Sequence, residues 1–486
     1  MALYLGLDAS TQSLSALVLR VEENSSPGTE PARKVVFEHT IDFDEALPGY
    51  ATKNGVLPSE NASVAVSSPL MWAEALDLMM AEVASSGLDL TRLSAIAGSA
   101  QQHGSVYLND TAAYRLSHLD AGEPLVTQIG AYDGKEETAG SRACILSRPI
   151  APIWMDASTP VECIEITEAM GGAERLAQVT GSRAFERFTG PQIRKFAKRQ
   201  PDAWAATDRV HLVSSFLASL LLGAHAPLDP GDASGMNLMN LETRRWASDA
   251  LEATAPKLSA RLPAIVPPET IIGSLANYWQ RRYELPPARL AVWSGDNPSS
   301  LVGTGLVREG QLAVSLGTSD TVFGPMREPR VDASGTGHVF GAPTGEYMGL
   351  TCFRNGSLAR ERMRDEHHLD WERFSHALRA TSPGNGGAML LPWFEPEITP
   401  DVAYPGVHRF DLDPGDTARN IRAIVEAQMM SMANHSGWIG ADIEVIHATG
   451  GAAKNVEVLQ VMADVFGAED VLVVIGEDAD LDRLAN

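Results

Sequence analysis

Leu3-Tyr-Leu-Gly-Leu-Asp8-Ala-Ser-Thr-Gln-Ser13-Leu-Ser-Ala-Leu-Val-Leu19 decides the fold. Two apolar runs, Leu3 to Leu7 and Leu14 to Leu19, flank a short polar segment, which predicts a strand, a tight turn and a second strand. The unit returns at Gln311 to Phe323, where Leu312-Ala-Val-Ser-Leu316 leads into Gly317-Thr-Ser-Asp320 and then Thr321-Val-Phe323. The recurrence predicts two domains of related design.

Between the two hairpins the chain alternates helix and strand. Lys34 to Glu38 reads as a strand within Glu23 to Ser68, a stretch that also holds a mobile loop. Trp72 to Ser86 has helical spacing of apolar residues, and Leu93 to Ala97 is a short buried strand. Leu212 to Leu222 contains three serines and falls far short of the roughly 20 residues of a membrane span, so it reads as a buried helix. After the second hairpin come a helix at Ala418 to His435, a strand at Glu444 to Ala448, a helix at Val456 to Phe466 and a strand at Val471 to Ile475. This is α/β logic. The Pro-rich run Leu262-Pro-Ala-Ile-Val-Pro-Pro268 marks the change of domain, dividing the chain into 1–265 and 266–486.

The length of 486 residues agrees, since one core stops growing near roughly 250–300 residues. With 62 acidic and 38 basic side chains the net charge is −24, which argues against nucleic acid and anionic membrane surfaces as partners. Three separated cysteines give neither a disulfide framework nor a thiolate metal site, and Met1 to Asp8 does not read as a signal peptide. A cytoplasmic address is expected.

No G-x-x-x-x-G-K-[ST] is present, and Gly335-Thr-Gly-His-Val-Phe-Gly341 misses G-x-G-x-x-G by one residue. The two hairpin turns offer another route to phosphate. A turn with consecutive backbone N–H groups and hydroxyls can surround a phosphate without lysine, and Asp8 at the strand end could hold Mg²⁺. Taken alone, each is also an ordinary turn. Gly295-Asp296-Asn297 ends a strand where α/β folds bind ligands, although Asp296 could simply cap the next helix. Gly98-Ser-Ala-Gln-Gln-His103-Gly104 is rich in amide and imidazole groups suited to a polyhydroxylated ligand. Ala448-Thr-Gly-Gly451-Ala-Ala-Lys-Asn455 could admit a planar base and turn a helix N-terminus toward phosphate, or be a plain strand-to-helix turn.

The ordered set Leu5 to Ser13, Gln101 to Gly104, Ile153-Trp-Met-Asp156, Gly295 to Asn297, Ser315 to Ser319 and Ala448 to Ala452 resembles the FGGY carbohydrate kinase family. The resemblance implies an α/β fold of two ribonuclease-H-like (actin-like ATPase) domains around a deep cleft, with sugar held mainly by the first and ATP mainly by the second. Gly181 to Gly190, Ile271 to Gly273 and Gly384 to Gly387 narrow it to members of the animal type that phosphorylate D-xylulose at the 5-hydroxyl. Carried over, His103, Arg187, Asp296 and Asn297 match sugar contacts, and Asp296 the catalytic base. Thr11, Gln12, Ser13, Gly317, Thr318, Ser319, Trp371, Gly450, Gly451, Ala452 and Asn455 match nucleotide contacts, with Asp8 on Mg²⁺. The implied partners are a small sugar and ATP, and the assembly a monomer or homodimer.

Two departures stand out. Lys195-Phe-Ala-Lys198 puts Lys where the common family signature has Trp, in keeping with the animal type. After Val471 to Ile475 the chain reads Gly-Glu-Asp-Ala-Asp-Leu-Asp-Arg-Leu-Ala-Asn486, where family members continue with a Gly/Ala-rich helix, so a loosened ATP site is expected. Other ketoses or polyols such as ribulose and glycerol, and a non-catalytic actin-like binding protein, are the competing readings.

Overall fold

The computed structural model describes residues 1–22, 32–130, 144–440 and 442–474. Part of the expected loop before residue 68, and the tail from residue 475 with its expected shortening, lie outside the described residues. The chain divides into two compact units, Met1–Ser299 with Phe340–Gly345, and Ser300–Val339 with Glu346–Asn486.

In the first unit β1 (Ala2–Ala9) and β2 (Ser13–Val21) form the expected hairpin, joined by β3 (Arg33–Asp42). Leu3, Leu5, Leu7 and Ala9 alternate into the core, as a half-buried strand requires. Helix α1 (Pro69–Ser85) starts with Pro at its first turn, where the missing N–H costs nothing. It buries Met71, Trp72, Ala75, Leu76 and Met79 against the hairpin residues. Removing a side chain like Trp72 would cost about 3–5 kcal/mol. Strand β4 (Leu93–Ala100) then pairs parallel with β1. Helix α2 (Val213–Leu222) is the apolar stretch with three serines, and all its residues through Leu221 are buried. A short α3 (Pro230–Ser234) follows.

Three later strands finish this sheet: β5 (Ile271–Ser274), β6 (Arg289–Ala291) and β7 (Ser294–Gly295). The order is β5-β6-β4-β1-β2-β3, with β7 also on β4. The sequence reading at 265/266 therefore differs from the observed division at Ser299. Parallel pairing of β6 and β7 with β4 is a long-range contact, and the Pro-rich run marks only a connection inside the unit.

The second unit repeats the plan. Strands β8 (Gln311–Leu316) and β9 (Asp320–Met326) make the hairpin, followed by β10 (His338–Gly341) and β11 (Tyr347–Phe353). Helices α4 (Ser357–Glu366), α5 (Trp371–Ala380) and α6 (Thr417–Ser436) lead to β12 (Val445–Thr449), α7 (Val456–Phe466) and β13 (Asp470–Val473). The sheet order is β10-β11-β9-β8-β12-β13. In each unit the hairpin lies centrally, its first strand antiparallel to the second and parallel to a later strand. That is the ribonuclease-H-like arrangement twice over. Among the described residues no helix is long and apolar enough to cross a membrane.

Candidate active site

In the first unit three strand ends meet. Parallel register sets Asp8 beside Ser99, and Ser294 and Gly295 beside Ser99 and Ala100. Asp8, Gln101 to His103 and Asp296 consequently emerge on one edge of the sheet, where parallel strands present their carboxyl ends. Ser99 Oγ donates to Asp8 Oδ1. Burial pushes the Asp8 carboxyl up, against the opposing effect of that bond.

Asp296 opens the helix Asp296–Gly303. Its Oδ1 accepts from the backbone N–H of Asn297 at 2.8 Å and from Asn297 Nδ2 at 3.0 Å. Burial raises its carboxyl to about 6; backbone hydrogen bonds oppose the rise and the Asp8 charge adds to it. Such a group is mostly ionised at neutral pH yet basic enough to take a proton efficiently.

His103 has φ of 71°, a strained value for a residue with a side chain. Gly104 N–H donates to Gln102 O at 2.9 Å and Thr189 Oγ1 to His103 O at 2.9 Å, which hold the turn. Its Nδ1–H donates to Gly235 O at 2.7 Å, and its ring lies 4.6 Å from that of Phe188. Burial, then the Arg187 charge, push the imidazole down to about 3. The ring is therefore neutral, with Nε2 left as the acceptor. The Arg187 guanidinium sits 5.3 Å from the Phe185 ring.

The first turn differs from expectation. The N–H groups of Gln12 and Ser13 point at Ser10 Oγ, at 3.3 and 3.1 Å, and Ser10 N–H donates to Ser13 O at 2.9 Å. Thr11 Oγ1 accepts from Trp154 Nε1 at 2.8 Å. A serine two residues before Gln12 satisfies its own turn, which is common for hydroxyl side chains.

Two acids escaped the sequence reading. Asp229 and Asp232 are buried; burial raises Asp229 to about 6 and Asp232 well above the usual range, the latter helped by the charges of Asp229 and Asp296. Ser294 Oγ donates to Asp229 at 2.9 Å and Ser214 Oγ to Asp232. Asp229-Pro-Gly-Asp232 looks like a solvated turn, so only two acids three apart beside a glycine hinted at more.

In the second unit most of the expected nucleotide residues converge. A cavity of about 890 Å³ is lined by Gly317, Thr318, Trp371, Gly451, Ala452 and Asn455. Ser319 lies exposed in the same turn, and Gly450, with φ of 88°, precedes the Gly451–Lys454 turn. Asn455 Oδ1 caps α7 by accepting from Glu457 and Val458, and its Nδ2 donates to Ser375 Oγ at 2.9 Å. Arg364 stacks 4.5 Å from the centre of the Trp371 ring. Arg360 and Lys454 also line the cavity and were not foreseen. Arg360 is buried and grips Asp320 with two bonds of 2.8 and 2.9 Å, just after the turn. Ser357 N–H donates to Gly317 O at 2.9 Å from the same helix.

Two repeats of this sheet, with a carboxylate edge in one and an open turn in the other, define a two-domain scaffold of the ribonuclease-H-like class. Residues 147–303 match the N-terminal domain of the FGGY family of carbohydrate kinases and residues 312–480 its C-terminal domain. The chain is 40% identical over 478 residues to xylulose kinase of Mus musculus, covering 96% of this chain and 81% of that protein. It is 38% identical over 505 residues to xylulose kinase 2 of Arabidopsis thaliana, covering 99% and 86%. Its fold matches xylulose kinase from Rhodospirillum rubrum with a TM-score of 0.77 at 17% identity, covering 99% and 91%. It also matches Plasmodium falciparum glycerol kinase with ADP at 0.73 and 15% identity, covering 98% and 87%. The chain belongs to the FGGY family of carbohydrate kinases, phosphotransferases with an alcohol group as acceptor.

Proposed function

We propose that the chain transfers the γ-phosphoryl group of ATP to the 5-hydroxyl of D-xylulose, giving D-xylulose 5-phosphate and ADP, with Asp296 as general base. The observation that carries the reading is the Asp296 carboxyl, raised to about 6 at the strand edge it shares with Asn297 and neutral His103. Asp296 accepts the hydroxyl proton as the oxygen attacks phosphorus. His103 Nε2 and the Arg187 and Asn297 side chains orient the sugar. A positioned base of this kind contributes about 10²–10⁴ in rate. The choice of sugar is supported by the mouse and plant relatives named xylulose kinase.

The turn at Gly317 to Ser319 is assigned to phosphate through its main chain and that at Thr11 to Ser13 through its hydroxyls, since Ser10 takes the N–H groups of Gln12 and Ser13; Trp371, Gly450, Gly451, Ala452 and Asn455 are assigned to the nucleoside. The donor set fits Mg²⁺ with Asp8 as its protein ligand. Desolvation disfavours the charged Asp8 carboxyl beside Asp296, and a cation would relieve both. Asp8 would supply one carboxylate oxygen, and water and phosphate oxygens would complete the shell. When bound, the ion would neutralise charge building on the phosphate oxygens. A cytoplasmic setting is part of the proposal, in keeping with the absence of a disulfide among Cys144, Cys163 and Cys352.

The test is ADP release against a panel of ketoses and polyols, with a no-sugar control. Preference for D-xylulose is expected. Faster turnover of D-ribulose or glycerol overturns the substrate, and ADP release indifferent to every sugar overturns the activity.

A further inference from the structure

Gln102 sits in the loop expected to meet a polyhydroxylated ligand, but its side chain is turned into the protein. It is only 2% exposed. Its Nε2 donates to Gly231 O, in α3, at 3.1 Å, and its Oε1 accepts from Asn297 Nδ2 at 3.3 Å. Its backbone N–H donates to the Asp296 carboxylate. One residue thus reaches both Asp296 and Asn297, and ties them to α3.

Space is reserved for it. A Cβ on Gly295 would lie 2.6 Å from Gln102 Oε1, and one on Gly235 would lie 2.7 Å from Nε2. Both neighbours must be glycine if the amide is to fit.

The order of the bonds fixes the direction of each amide. A backbone carbonyl only accepts, so Gly231 O requires the NH₂ end of Gln102. The oxygen end of Gln102 must then face Asn297, and this requires the NH₂ end of Asn297. That same nitrogen donates to Asp296 Oδ1 at 3.0 Å. The orientation runs from a main-chain carbonyl through two amides to the carboxylate, and it sets which side of Asn297 presents its carbonyl oxygen.

We propose that Gln102 is a positioning residue that sets the placement of the Asp296–Asn297 pair toward the sugar without touching the sugar itself. The inference rests on Asp296 and Asn297 being the base and a sugar contact. Placement errors of about 1 Å at reacting groups can cost a hundredfold in rate.

The experiment compares Gln102→Met, which keeps the shape and removes both side-chain bonds, with Gln102→Glu, which keeps an acceptor for Asn297 and loses the donor to Gly231. On the full chain, melting temperature, kcat, and KM for D-xylulose and ATP are measured separately. Both variants are expected to lose about ten- to a hundredfold in kcat/KM for the sugar while KM for ATP stays within about twofold. A cycle of Gln102→Met with Asn297→Ala is expected to be strongly sub-additive, because one acts through the other. Additive losses overturn the inference, as does unimpaired sugar turnover in both variants. So does a parallel loss in sugar and ATP parameters with a lowered melting temperature in both, which marks a purely structural role. If Asn297→Ala and Asp296→Asn each turn over D-xylulose normally, the site assignment itself fails; if they are impaired and both Gln102 variants are not, only this inference does.

Discussion

The β1–β2 and β8–β9 hairpins have matching neighbours in their sheets, a parallel strand beside the first strand and an antiparallel one beside the second, yet their turns are finished differently. The first closes on itself: Ser10 takes the N–H groups of Gln12 and Ser13, and Trp154 holds Thr11. The second leaves Gly317 and Thr318 on the wall of a cavity, and its rigidity comes from behind, where Asp320 is locked to Arg360. A turn that binds through its main chain needs support that does not consume its N–H groups. Only the second turn is built that way. In the proposed reading the first unit contributes instead the acids at its strand ends, Asp8 and Asp296.

This division of labour can be broken at its strongest point first. Asp296→Asn should lower sugar-dependent ADP release by at least about a hundredfold while ATP affinity, measured by titration, persists. In the unaltered protein, activity should fall as pH drops through about 6, because the base is lost by protonation. Stability moves the opposite way. A carboxyl raised on folding stabilises when protonated, and that contribution is lost as pH rises through its folded value. Asp296→Asn should therefore melt higher than the wild type at pH 8 and about equally at pH 4; a lower melting point at pH 8 would contradict the buried-charge account.

Asp320→Asn comes next. Leaving Arg360 buried without its counter-charge should cost about 3–5 kcal/mol in denaturant unfolding and weaken ATP binding more than sugar binding. Ser10→Ala should be the mildest, about 1 kcal/mol from the lost turn bonds. If the two turns were equivalent, its effect on KM for ATP would match that of Asp320→Asn, and the contrast drawn between them would collapse.

The hairpins, α2 and α7 are readable because each is a local pattern: alternation, a mostly apolar run, or a helix following a strand and a glycine turn. The domain division was not, since Ile271–Ser274, Arg289–Ala291 and Ser294–Gly295 join the first sheet by pairing over a long span of chain. His103 and Asp296 stand out in the sequence as polar residues after strands, and the Gly451 turn as glycines after one. Asp229, Asp232 and Arg360 were missed because acids beside Pro and Gly, or an arginine in the charged helix Ser357–Glu366, look solvated until tertiary packing buries them. Gln102 was recognised as part of a functional loop, but which way an amide faces depends on a carbonyl 129 residues away.

The strained, neutral His103 has a consequence for how the enzyme meets a changing medium. A ring that gains its proton only near pH 3 holds the same charge through any ordinary acid load. With the sugar contact proposed for that ring, its hold on the sugar stays constant while the rate declines, so mild acidification should throttle turnover with little change in sugar affinity. On the proposed assignment the histidine is fixed scaffolding, and the sensing of protons falls to a carboxylate.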